Sequence, residues 1–287
     1  MVAHLRKMEI LEKIKEIFRK YFDAQKRGDI KELVALYREL ILSRNSLAVD
    51  QGYKDYLDMQ IKKINRIPEP HWQKYLANKD TFATKFSPHL DSSSNSPHFL
   101  SKLPELKIEY PENVFDLVTK KYPEINEVRN KISIENSDKG AYFRYSDEAD
   151  HYSIYIPQTN FNQKVSMLIH ELAHVISWEK QHHRVESIYS AEFEAHQIEF
   201  ALTKDISNEF SQAVFGEYLM GQVRSDFQIA IFTNTTLDPI VTYTENFAKY
   251  IGELKKENQT DFLFDKKITH DPLVDLSSAV SIVNLLT

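Results

Sequence analysis

Residues 165–178 read Val165-Ser166-Met167-Leu168-Ile169-His170-Glu171-Leu172-Ala173-His174-Val175-Ile176-Ser177-Trp178, with H-E-x-x-H at 170–174. Side chains four apart lie on one face of an α-helix, one turn above the other. That spacing lets the imidazoles of His170 and His174 reach one zinc ion, with Glu171 placed as general base on a water. The flanking residues are apolar nearly all round, which predicts a buried helix. Two histidines and a carboxylate are costly to bury unless something pairs with them, and a metal does so. The bland alternative is an ordinary core helix whose histidines bond to their neighbours.

A catalytic zinc takes three protein ligands and leaves one position open. The third is sought in the predicted helix 186–204, where Ala191, Ala195, Ile198 and Leu202 define a small apolar face. Glu192 and Glu199 lie on or beside that face, seven apart, and Glu194 points roughly the other way. Glu192 is therefore the expected ligand and Glu194 the runner-up. Glu199 and His196 fall one or two turns along and could bond the free ring nitrogen of a ligand histidine; for His196 an ordinary, partly exposed histidine is an equal reading. His182-His183, just past the zinc helix, reads as loop surface, capable of adventitious metal binding.

The rest of the chain supplies the frame. Its 287 residues are 42% hydrophobic and 27% charged, with only six glycines, a composition that favours helix. The net charge of −6 argues against a nucleic-acid partner. No cysteine is present, so any metal falls to His, Asp or Glu. Neither a signal-peptide core nor an apolar run of membrane-spanning length is found, so a cytoplasmic protein with no membrane partner is expected. Amphipathic helices are predicted over 4–27, 30–49 and 50–65, with Gly28 breaking the first and Asp29 capping the second. Residues 87–97 read as a loop or linker and 112–121 as a helix. Residues 131–135, 141–145 and 152–156 are short, β-branched and aromatic, separated by turn-like stretches, and predict a three-stranded antiparallel meander. From about 160 onward the pattern is helical. The expected fold is mainly α with this small meander and a zinc site between two helices, divided into an N-terminal helical region, 1–88, and a zinc-binding region, 89–287.

Three further stretches carry a resemblance to a family. Arg44-Asn45-Ser46-Leu47-Ala48-Val49-Asp50-Gln51-Gly52-Tyr53 looks like the R-N-x-x-A-x-x-x-G-[FY] segment of the zinc oligopeptidases related to oligoendopeptidase F and thimet oligopeptidase. Asp138-Lys139-Gly140-Ala141-Tyr142 is similar to their K-x-G-[AG]-Y, and Glu192-x-x-Ala195-x-x-x-Glu199 to their E-x-x-S-x-x-x-E. The resemblance implies a zincin-like fold of gluzincin type in a shortened form, one Zn2+ held by His170, His174 and Glu192, and hydrolysis of oligopeptides with Glu171 as general base. Ala173 stands where the family has glycine. The family also has a histidine followed by a tyrosine-rich stretch near its C-terminus, thought to bind substrate and stabilise the oxyanion. His270 is the candidate for that histidine, but no tyrosine follows it, and loss of one oxyanion donor costs about 10²–10³ in rate. Tyr243 and Tyr189 are the nearest substitutes. A weakly active or non-catalytic zinc-site protein that binds a peptide or partner, or a protease acting on one protein, are the competing expectations. The last strand of the meander is expected to pair with an extended peptide, and a homodimer is one way to close the more open cleft that a shortened chain implies.

Overall fold

The computed structural model describes residues 2–86 and 99–287; the expected linker 87–97 lies outside them. Helix α1 (Val2–Arg27) is ended by Gly28 at φ +67, and α2 (Ile30–Asp50) is capped by Asp29, whose side chain accepts from the Glu32 amide at 3.0 Å. The third expected helix is shorter than its pattern. Gly52, at φ +86, interrupts the chain, and α3 (Tyr56–Met59) starts at its own cap, Asp55, before widening into a five-residue π turn, Gln60–Ile64. A further helix, α4 (Glu69–Phe86), follows. After α5 (Glu112–Lys121) and α6 (Ile125–Val128) come strands β1 (Ile132–Ser137), β2 (Tyr142–Ser146) and β3 (His151–Pro157). Then follow α7 (Phe161–Lys180), α8 (Ile188–Ile206), α9 (Asn208–Thr233), α10 (Pro239–Tyr250), α11 (Lys266–Thr269) and α12 (Leu276–Leu286). No described helix is long and apolar enough to cross a membrane.

The sheet corrects one expectation. Its order is β1-β3-β2, with β1 parallel and β2 antiparallel to β3, so it is mixed rather than a meander. A meander would put β2 in the middle. The central place goes instead to the strand with the strongest apolar alternation: Tyr152, Ile154 and Ile156 of β3 are all buried, whereas β2 carries Arg144 and Ser146 exposed and suits an edge. Because β3 is paired on both sides, it has no free edge to offer a peptide; the edges are β1 and β2.

The chain divides into two compact units, Met1–Asn95 with Leu219–Ala279, and Ser96–Tyr218 with Val280–Thr287. In the first unit, 219–279 packs with the N-terminal helices. In that first unit Tyr37 lies against Phe227 and Phe262, and the Tyr21 hydroxyl donates to the Leu263 carbonyl at 2.7 Å. In the second unit α7 is the axis, with the buried side chains of β3 against it. Asn162 in its first turn ties down the preceding loop. Its amide donates to the carbonyls of Leu100, Leu103 and Pro104 at 3.1–3.2 Å and its oxygen accepts from the Leu106 amide at 3.0 Å.

Candidate metal centre

Helix α7 begins where the Asn160 side chain accepts from the Gln163 amide at 3.0 Å. Its core side, Val165, Leu168, Ile169, Leu172, Val175 and Ile176, is fully buried, which fixes the rotation of the helix. That rotation stacks His170 over His174. Their rings are 4.7 Å apart at 88°, and the two Nε2 atoms face each other at 3.1 Å. Glu171 is buried beside them.

Helix α8 starts with a reciprocal cap between Ser187 and Ser190. Ala195 is fully buried, and the small side chain lets α8 approach α7. Glu192 then sits opposite the histidine pair: Oε1 is 3.5 Å from His174 Nε2 and Oε2 is 3.8 Å from His170 Nε2. One ligand atom from each of His170, His174 and Glu192 falls within 4.8 Å of the others. Glu194 turns away, as its helical position dictates, and accepts from Ser177 Oγ at 2.5 Å. Glu199, 1% exposed, accepts from His170 Nδ1 at 3.0 Å. With its proton on Nδ1, His170 turns a lone pair at Nε2 toward the centre.

Two residues complete the surroundings. The Tyr218 hydroxyl donates to Glu199 Oε2 at 2.5 Å and lies 3.3 Å from His170 Nδ1. Sequence reasoning had no means of finding it, because polar and apolar residues are spread around α9 without a distinct face. His196, left open as a surface histidine, is fully buried, with Nδ1 2.6 Å from Ser281 Oγ.

The electrostatics show a centre short of positive charge. Burial pushes Glu171 above the ordinary carboxylate range. Burial also works to raise Glu192 and Glu199, but His174 and His170 outweigh it for Glu192, as His170 does for Glu199, and both lie below that range. Burial opposes charge on His170, yet Glu199 beside it prevails and pushes the ring up to about 10. His196 is pushed down to about 4, chiefly by burial. Three carboxylates thus share a pocket that, without a cation, draws a proton onto a histidine. Two ring nitrogens and a carboxylate oxygen converging at these spacings fit a divalent ion of the zinc type; His170, His196 and Glu199 form a second such group.

The other sequence candidates each have their own surroundings. His270 belongs to the first unit, its ring stacked on Phe18 at 5.1 Å and tilted against Phe22 at 5.0 Å. Its Nδ1 lies 2.8 Å from Thr269 Oγ1, and Nε2 is buried without a hydrogen-bond partner. Tyr243, in the same unit, packs among Phe227, Phe247 and Phe262. Tyr189 is buried in the second unit and accepts from Asn284 at 3.4 Å. His182 and His183 are exposed, at φ 51 and 63, and His183 stacks on Trp178 at 5.7 Å.

No family model and no curated protein sequence matches the chain. Solved structures do. PZ peptidase A aligns at TM-score 0.61 and 12% identity, over 91% of this chain and 58% of its own. An M32 carboxypeptidase from Deinococcus radiodurans R1 aligns at 0.65 and 11%, over 97% and 66%. A putative oligoendopeptidase F from Bacillus anthracis aligns at 0.56 and 12%, over 91% and 53%. The chain thus has the zincin-like fold of these solved structures and spans between about half and two thirds of their length.

Proposed function

We propose that this chain is a zinc-dependent metalloendopeptidase that hydrolyses peptide bonds in oligopeptides. The observation that carries the reading is the convergence of His170, His174 and Glu192 on one point, with a buried carboxylate side chain, Glu171, next to it. His170 and His174 would hold the ion through Nε2 and Glu192 through a carboxylate oxygen. A bound zinc supplies Lewis acidity toward a water and the scissile carbonyl.

Glu171 takes a proton from the water as its oxygen adds to the carbonyl carbon, then gives that proton to the amide nitrogen as the C–N bond breaks. Burial raises its pKa, which makes it a better proton acceptor than an exposed carboxylate. Glu199 keeps a proton of His170 on Nδ1, so that Nε2 is the ring nitrogen left to give its lone pair to an ion. The edge strand β2 is the surface to which an extended peptide would add by main-chain hydrogen bonds. Its Phe143 stacks on His174 at 5.7 Å, so a peptide paired there would run close to the centre.

The test is hydrolysis of a mixed quenched-fluorescent peptide pool by zinc-loaded protein beside Glu171→Gln. Cleavage within peptides that disappears in the variant supports the reading. Release of single C-terminal residues only would make it a carboxypeptidase, and equal turnover by both proteins would refute Glu171 as the base.

A further inference from the structure

Helix α8 repeats the spacing of the histidine pair: Glu192 and His196 are four apart, as His170 and His174 are on α7. The His196 ring has no exposed surface. Its Nδ1 is engaged by Ser281 Oγ at 2.6 Å, and Tyr218 stands edge-on to it, ring centroids 4.8 Å apart at 88°. The ring is thereby fixed on two sides. Its remaining polar atom, Nε2, is buried without a hydrogen-bond partner and lies 3.8 Å from Glu192 Oε2. That oxygen is equally far from His170 Nε2.

The tautomer follows from the neighbours. A lone pair at His196 Nε2 would face a carboxylate oxygen, placing two electron-rich atoms against each other. A proton there is attracted to the same oxygen, and Nδ1 is then the acceptor for the Ser281 hydroxyl. When His170 and His174 give their Nε2 lone pairs to an ion, neither ring can donate to Glu192 through that atom. His196 is then the one histidine of the cluster whose Nε2 still can.

We propose that His196, held by Ser281, is a positioning residue: it presents Nε2–H to Glu192 and fixes that carboxylate in the orientation in which it binds the metal. The 3.8 Å gap is longer than a hydrogen bond and would have to close when Glu192 holds an ion. This inference rests on the reading of His170, His174 and Glu192 as metal ligands. It explains why an imidazole occupies a wholly buried place behind a glutamate, and it makes Ser281, far along the chain, part of the support of the centre.

The experiment measures affinity for Zn2+ and Co2+ by competition with a chromophoric chelator, and counts coordinated histidines by X-ray absorption. The full-length protein is compared with His196→Phe, His196→Gln and Ser281→Ala. Removal of an outer hydrogen bond to a ligand weakens affinity by roughly 10–100-fold, the loss expected for His196→Phe. His196→Gln keeps an N–H donor and should recover part of it. Ser281→Ala, which leaves the imidazole in place, should lose less, and it carries the test if His196→Phe does not fold. The histidine count should stay at two throughout. Equal affinities in wild type, His196→Phe and Ser281→Ala would overturn the proposal. So would three coordinated histidines in the wild type, which would make His196 a ligand. A wild-type protein that binds neither ion would sink the metal-centre reading and this inference with it.

Discussion

Glu199 Oε2 accepts a hydrogen bond from His170 Nδ1 at 3.0 Å. This one contact decides what His170 can do. It holds a proton on Nδ1, the nitrogen away from His174, and so makes Nε2 the nitrogen that an ion would take. Tyr218, donating to the same carboxylate oxygen, keeps Glu199 from swinging away.

Glu199→Gln is therefore expected to weaken Zn2+ binding by roughly 10–100-fold without removing a ligand. Chelator competition measures it. Tyr218→Phe should move affinity in the same direction but less, and the double variant should fall short of the sum, because both changes act on one contact. Full additivity would show that Tyr218 and Glu199 act separately.

Glu171→Gln should retain metal at near wild-type affinity and lose peptide hydrolysis by about 10²–10⁴ in kcat, the range for removing a general base. Single-turnover cleavage with a metal assay on the same sample checks both halves. Loss of metal together with activity would place Glu171 in a structural role.

Metal should stabilise the fold. Free Zn2+ at a thousand times its Kd adds about 4 kcal/mol to the folded state, so unfolding of chelator-treated protein should occur at lower temperature than that of zinc-loaded protein. His174→Ala should abolish the difference. A variant that still gains stability from zinc would place the ion elsewhere, with the exposed pair His182-His183 the next site to examine.

Asp226 gives an acid-sensitive contribution in the first unit. Its side chain is 1% exposed, 2.9 Å from Lys79 Nζ and 3.0 Å from Lys249 Nζ, and it accepts from Tyr75 and Tyr250 at 2.9 and 2.7 Å. Burial raises its pKa, but the two lysines outweigh burial and hold it below the ordinary 3.8. A carboxylate with a depressed folded pKa stabilises fully above its unfolded pKa, about 3.9, and that stability is lost as pH falls through the folded value. Asp226→Asn should cost about 2–3 kcal/mol near neutral pH, under the cost of breaking a fully buried pair because both lysines reach water. The gap to wild type should narrow as urea unfolding is taken down toward about pH 3. A gap that widens on acidification would reverse the assignment.

The sequence by itself determined what depends on short spacing. The i, i+4 geometry that stacks His170 on His174, the cap at Asp29, and the choice of Glu192 over Glu194 all follow from local chain geometry, 3.6 residues per turn, and from which face carries alanine. Glu199 as partner of a ligand histidine was legible for the same reason. The order of the strands was not, because pairing is settled by which strand best tolerates burial on both sides, a comparison between segments rather than a property of one. Residues 219–279 pack with the N-terminal helices through aromatic contacts such as Tyr37 with Phe227, which leave no periodic trace. Tyr218 and Ser281 reach Glu199 and His196 from 19 and 85 residues away. Such contacts arise only when packing of the apolar faces has fixed the helices, so tertiary structure alone decided which polar groups surround the centre.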